Sequence, residues 1–226
     1  MREIIVISVG GSLIVPDGID TNFLKSFRNL VLSQARRNKR FVIICGGGKT
    51  ARKYQQAANE MTKLRKEDVD WIGIHCTRLN AHLLRTIFYK HAHPAVIKDP
   101  TQKVKFKELI LIAAGWKPGF STDFDAVMLA KNGGARRIIN LTSVDYVYDK
   151  DPKKFRDAVP LNKITWKAFL RLLPKRWSPG MNAPFDPVAS REANKFGLEV
   201  VILNGCNIRN LRKALDGDKF RGTVIS

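Results

Sequence analysis

Two kinds of hydrophobic pattern take turns along this chain. Short apolar runs, rich in Ile, Val and Leu, occur at Ile4 to Val9, Phe41 to Ile44, Pro94 to Ile97, Leu109 to Ala113, Arg137 to Leu141, Glu199 to Leu203 and Gly222 to Ile225. Runs this short, with little polar alternation, predict strands covered on both faces, as in a parallel sheet. Between them, apolar residues return every third or fourth position. Phe23, Phe27, Leu30 and Val31 do so behind Asp20, which is placed to cap a helix. Further helices are predicted over Lys49 to Ala58, about Glu67 to Tyr89, Asp123 to Lys131, Trp166 to Leu172 and Val188 to Phe196, with another short one before the last strand. In the long helix, Ile72, Cys76, Leu79 and Leu83 define the expected core face, and Arg78 and Asn80 lie off it. TSVDYVYDKDP, Thr142 to Pro152, predicts a tight hairpin, and Pro152 to Pro160 an exposed loop. Strands alternating with helices throughout predict an α/β fold: a single domain over residues 1–226, built as a three-layer sandwich with a mainly parallel central sheet.

Two of these strands run directly into glycine. The first is followed by Gly10, Gly11 and Ser12, and the second by Cys45, Gly46, Gly47, Gly48, Lys49, Thr50, Ala51 and Arg52. A strand, a glycine turn and a helix start leave backbone N–H groups free to cradle a phosphate, with the helix dipole and cationic side chains favouring the anion. Ligands of open α/β sheets lie beyond the carboxyl ends of the parallel strands, so two such turns suit a nucleotide's phosphate chain. The ending Gly48-Lys49-Thr50 imitates a P-loop, but that motif demands a glycine where Ile43 stands. Taken singly, each turn also fits a plain corner between strand and helix.

Composition narrows the picture further. A length of 226 residues with 44% hydrophobic content suits one sizeable α/β domain. No stretch reaches the apolar length of a membrane span, and the N-terminus reads as a strand, so a cytoplasmic protein without membrane contact is expected. Cys45, Cys76 and Cys206 lack metal-ligand spacing and are expected to be buried thiols. His75, His82, His91 and His93 likewise form no ligand set, and no protein-bound metal is expected. Against 20 acidic residues stand 40 Lys and Arg, a net charge of +20, which attracts polyanions in general. The basic residues are dispersed, with short runs at Arg36 to Arg40, Lys103 to Lys107, Lys153–Lys154 and Lys175–Arg176. Aromatics do not interleave with them as a nucleic-acid surface requires, so solvated basic faces are the expectation and nucleic acid is not the expected partner.

Six ordered motifs span nearly the whole chain: GGS at Gly10–Ser12, GGGK-x-AR at Gly46–Arg52, D-x-IGI-x-x-TR-x-NA at Asp70–Ala81, PG-x-[ST]TD at Pro118–Asp123, T-x-VD-x-VY-x-x-DP at Thr142–Pro152 and FDP-x-A at Phe185–Ala189. Together they resemble the amino acid kinase superfamily, and within it the archaeal type of uridylate kinase. The resemblance implies transfer of the γ-phosphoryl group of ATP, carried with Mg²⁺, to the substrate UMP, in pyrimidine nucleotide synthesis, by a homo-oligomer, commonly a hexamer. It assigns the ATP phosphates to Gly11, Ser12, Gly48 and Arg52, and the ATP nucleoside to Thr142, Tyr148 and Asp151. The UMP side falls to Gly47, to Asp70 and to the loop Trp116, Lys117, Pro118, Gly119, Phe120, Ser121 and Thr122. Asp123 matches the catalytic-site aspartate, which orients cations around the transferring phosphoryl group. Two positions depart from the pattern. Ser8 stands where many members carry a transition-state lysine, leaving Lys49 as the substitute catalytic cation, and Tyr146 replaces a hairpin glycine. Rival readings are another small-molecule kinase of the superfamily, or a non-catalytic nucleotide- or RNA-binding protein of the same fold. Isopentenyl phosphate kinases carry a substrate-binding His soon after the glycine turn, and Thr50 to Asn59 has none.

Overall fold

A computed structural model describes residues 2–152, 154–173 and 183–226. Its centre is β1 (Glu3–Val9), flanked in parallel by β2 (Lys39–Cys45) and β4 (Arg137–Thr142). β3 (Ile110–Ala113) extends the sheet beyond β2, and β8 (Glu199–Asn204) extends it beyond β4, both in parallel. β9 (Thr223–Ile225) adds to β8 antiparallel, and β7 (Lys163–Ile164) closes that edge. The order β3-β2-β1-β4-β8-β9-β7 is therefore mainly parallel, as the unbroken apolar runs require.

Alternate residues of each strand feed two cores. On one face Ile5, Ile7, Val9, Phe41 and Ile43 meet α1 (Gly11–Ile14), α2 (Thr21–Ala35), α4 (Lys66–Ile87) and α8 (Ile208–Asp216). On the other, Val6, Val42, Ile44 and Ile138 meet α5 (Thr122–Gly133), α6 (Trp166–Leu172) and α7 (Pro187–Lys195). α3 (Gly48–Met61) packs outside, against α4, and buries only Ala51. Asp20 caps α2 through its Oδ1, which accepts the Phe23 N–H at 2.8 Å. Phe23 and Phe27 stack 5.6 Å apart inside the core, leaving neither ring for an interface.

Four sequence expectations change. Pro94 to Ile97 forms no continuous strand. The segment touches β3 at isolated bridges through Ala92 and Ile97, because Pro94 has no N–H to donate to a ladder. The hairpin expected within Thr142 to Pro152 instead pairs β5 (Val147–Tyr148) with β6 (Pro160–Leu161), across the exposed loop. The core face of α4 runs through Ile74, Thr77, Asn80, Ala81 and Leu84, while Leu79 is 64% exposed. Nearby turns carry backbone polar groups that need partners away from water, so Thr77 and Asn80 point inward and Leu79 outward. Cys45 and Cys76 are buried as expected, but Cys206 is exposed, in a turn leaving β8 where Asn204 Oδ1 takes its N–H at 3.0 Å. The basic residues Lys153, Lys175 and Arg176 fall outside the described residues. Among the described residues no helix is long and apolar enough to cross a membrane.

Candidate active site

β1 and β2 are neighbours, so the glycine turns that follow them meet. Gly46 N–H donates to Val9 O at 2.9 Å, and Gly10 N–H donates to Leu141 O of β4 at 3.0 Å. The contact is too close for side chains: a Cβ on Gly11 would stand 2.2 Å from the Gly48 nitrogen and 2.5 Å from Gly46 O. Gly48 also takes φ +66°, a left-handed conformation that suits glycine. Asn80 of α4 completes the corner, its amide nitrogen donating to Gly46 O at 2.8 Å and to Gly47 O at 3.4 Å. In a trans peptide the N–H points opposite to the carbonyl, so the Gly47 and Gly48 amides face away from Asn80. They open the first turn of α3, where N–H groups have no helical acceptor. Lys49 and Arg52 lie one turn apart on this helix, Arg52 exposed and Lys49 paired with Asp17, whose carboxyl it holds below the usual range.

At the same sheet end, the segment after β3 crosses in front of α4 and α5. Its backbone is held at four points. Gly115 N–H donates to Thr77 Oγ1 at 2.8 Å, Arg78 Nη2 donates to Trp116 O at 3.0 Å, Trp116 N–H donates to Asp125 Oδ2 at 3.1 Å, and Gly119 N–H donates to Asp70 Oδ2 at 2.9 Å. Three of these partners project from α4 at Asp70, Thr77 and Arg78, spacings that share one helix face. Beyond the backbone, Trp116, Phe120 and Phe124 form an aromatic row, with centroids 4.9 and 4.6 Å apart. The Lys117 ammonium sits 4.0 Å from the Trp116 ring centre. The segment ends at Ser121, whose Oγ accepts the Phe124 N–H at 3.2 Å and caps α5 directly after Thr122 begins it.

That cap places Asp123 and Asp125 in the first turn of α5. Helix dipoles favour carboxylates there, but burial opposes them. The Asp123 carboxyl belongs to a half-buried residue and is pushed up to about 7, by desolvation and then by the charge of Asp186, against the Asp186 N–H that its Oδ2 accepts at 3.1 Å. Asp125 is wholly buried and pushed up to about 8. Asp186 begins α7 ahead of Pro187, and its Oδ1 takes the Val188 and Ala189 N–H groups at 2.6 and 2.8 Å. Its other oxygen, Oδ2, is buried without a partner. Ser8 is buried on β1 between Ile44 and Asn140, on the sheet face that α5 covers.

Thr142 ends β4 at this same edge, its Oγ1 accepting the Val144 N–H at 3.1 Å. Tyr148 and Asp151 lie farther along, Tyr148 on the separate two-stranded sheet and Asp151 in the loop after it, where its carbonyl takes the Lys154 and Phe155 N–H groups. Tyr146 packs edge-on against Tyr148 at 6.5 Å. Asn38 is the one non-glycine residue with positive φ among the described residues, so Tyr146 fits without a glycine conformation. The turns, the segment after β3 and Asp123 thus lie at the carboxyl ends of β1 to β4, with Tyr148 and Asp151 set apart on and after the two-stranded sheet. Sequence reasoning missed Asp125. Thr77, Arg78, Asn80 and Asp186 sat inside recognised motifs with no role attached. Among the described residues no group of three His, Cys, Asp or Glu side chains is placed to hold a metal.

Comparison with known proteins places this geometry. The sequence description "Amino acid kinase family" matches residues 3–204. A uridylate kinase of Thermoplasma acidophilum is 33% identical over 228 residues, covering 100% of this chain and 97% of the relative. One of Thermococcus kodakarensis is 34% identical over 224 residues, covering 98% of each. The crystal structure of uridylate kinase from Archaeoglobus fulgidus superposes with a TM-score of 0.85 at 30% identity, over 100% of both chains. The UMP kinase from Ureaplasma parvum shares the fold at 20% identity, with a TM-score of 0.79 over 100% of this chain and 99% of its own.

Proposed function

The chain belongs to the amino acid kinase family, and we propose that within it the chain is a uridylate kinase, moving the γ-phosphoryl group of ATP to UMP to give ADP and UDP. The observation that carries this reading is the meeting of Gly11 and Gly48, backbone against backbone, beside a second segment held by Asp70 and aimed at the same sheet end. The uridylate kinases of Thermoplasma and Thermococcus, alike to this chain over nearly their whole length, support the choice of acceptor. Pyrimidine nucleotide synthesis in the cytoplasm, one domain over the whole chain and assembly as a hexamer complete the proposal.

Phosphoryl transfer asks for positioning and for neutralisation of anionic oxygens rather than for covalent help. In our reading the amides of Gly11, Ser12 and Gly48 hold the ATP phosphates, with Arg52 as a mobile cation at the rim. Thr142, Tyr148 and Asp151 flank the ATP nucleoside. Gly47 and Asp70 meet UMP, and Trp116, Lys117, Pro118, Gly119, Phe120, Ser121 and Thr122 enclose it. Asp70 Oδ2 already takes one N–H, from Gly119, so an arriving ribose hydroxyl shares an acceptor that the loop itself uses. Asp123 orients the cations at the transferring group, and Lys49, released from Asp17, stands in for the lysine absent at Ser8.

The carboxyls of Asp123 and Asp186, the latter with an oxygen lacking any partner, fit Mg²⁺ travelling with the donor phosphates. Bound there, the ion supplies Lewis-acid neutralisation of the phosphate oxygens. The test is ADP and UDP production from Mg-ATP with UMP, CMP, acetylglutamate or isopentenyl phosphate as acceptor, beside Asp123→Asn. UDP formed from UMP and lost in the variant supports the reading; turnover with a different acceptor, or none with any, overturns it.

A further inference from the structure

Asp125 is a carboxyl that the phosphoryl chemistry leaves unused, yet it is 0% exposed and touches the acceptor-side loop. We propose that Asp125 is a positioning residue for the acceptor: by accepting the Trp116 N–H it fixes the point from which residues 116–122 reach UMP. The inference rests on the uridylate kinase reading and deepens it.

Trp116 is the first residue of the loop beyond the sheet, and both of its backbone groups are committed. Arg78 on α4 donates to its carbonyl at 3.0 Å, and Asp125 on α5 accepts its N–H at 3.1 Å. Two helices therefore grip one residue. The placing of the Trp116 ring against Phe120, and of the Lys117 ammonium over it, follows from that grip, because a tilt at residue 116 displaces both. Asp125 Oδ2 is the hydrogen-bond partner of that N–H, and Oδ1 is buried with none among the described residues. A charged oxygen left alone in such surroundings is costly, far more than a neutral one.

Three proteins test this: the wild type, Asp125→Asn and Asp125→Val. Valine leaves the Trp116 N–H without that acceptor, and the KM for UMP is expected to rise roughly tenfold at pH 7, with the KM for ATP and kcat moved far less. Asparagine keeps an acceptor and is expected to recover most of that loss. A Val variant with an unmoved KM for UMP, or an Asn variant no better than Val, overturns the inference. Should Val fail to fold, selective ¹⁵N-tryptophan labelling decides it. Of the four Trp backbone signals, that of Trp116 is expected to exchange slowly with solvent deuterium in the wild type and in Asp125→Asn. A Trp116 amide that exchanges freely in the wild type overturns the proposal. This readout needs no turnover, so a protein that makes no UDP but protects the Trp116 amide loses the kinase reading and keeps the Asp125–Trp116 link.

Discussion

Gly11 and Gly48, 37 positions apart in sequence, occupy each other's side-chain space: a Cβ built on Gly48 would lie 2.4 Å from both the carbonyl carbon and the oxygen of Gly11. Backbone cannot yield at that distance as a flexible side chain does. Gly11→Ala and Gly48→Ala are therefore expected to separate the two turns and lose most ATP binding, with stability falling by about 3 kcal/mol or more. Gly119 offers the control, since its φ is +84° but a Cβ there meets nothing within 4 Å. Gly119→Ala should cost only the left-handed strain, about 1 to 2 kcal/mol. Urea midpoints and the KM for ATP, measured on all three, check the contrast.

Activity should depend on pH through Asp123. Its carboxyl is held up at about 7, and in the proposed mechanism the ionised form orients the cations. Turnover is expected to climb as pH rises through 7. Asp123→Asn should remove that limb and lower kcat by roughly 10²-fold or more, the scale of a lost electrostatic group at a transition state. A pH series of kcat on both proteins is the measurement.

Stability should move the opposite way. Asp123 and Asp125 have folded values of about 7 and about 8 against an unfolded value near 3.8, so the folded chain binds their protons more tightly. Their contribution is fully present below pH 4 and is lost as pH rises through 7 and 8, at about 1.4 kcal/mol per unit for each group in that window. Asp125→Asn is expected to gain on the wild type between pH 5 and pH 9. Denaturant midpoints of the pair across that range test the sign, independently of the other titrating groups that both proteins share.

Asn80→Leu is expected to be destabilising by about 1 to 3 kcal/mol, because it strips the partner from Gly46 O at a buried corner. The KM for ATP should rise with it, whereas Leu79→Asn, on the exposed side of the same helix, should be nearly neutral. Thermal unfolding and ATP titration of the two variants separate these outcomes.

What could be read from the sequence divides along a physical line. Most strands, the glycine turns and the Asp20 cap were legible because each is specified by residues adjacent in the chain. The roles of Asn80, Thr77 and Asp125 were not, since a polar residue at an inward helical position makes sense only once its partner, distant in sequence, is in place. The same reason misplaced the hairpin: Val147 and Tyr148 pair with Leu161 and Pro160, beyond an intervening loop. Pro94 carried its own warning, since a missing donor interrupts any strand. Cys206 failed for lack of context, because a thiol after a strand faces whichever way the exit turn sends it. Of the candidate site, the two glycine turns meet and the segment 116–122 is fastened to α4 and α5, while the work done by the polar groups that hold those pieces in place was not legible.

Helix α4 holds the segment 116–122 through Asp70 and the Gly46–Gly47 corner through Asn80. Ten residues at 1.5 Å each put about 15 Å between those attachments. In the proposed mechanism, the reach of phosphoryl transfer is thus written as a residue count in a single rigid rod. Inserting or deleting one residue between Asp70 and Asn80 would alter the spacing by only 1.5 Å, but it would swing the two side chains about 100° relative to one another. Residues on the outer side of α4 can be exchanged without moving those attachments, whereas a change in the number between them would part the two pieces of the candidate site.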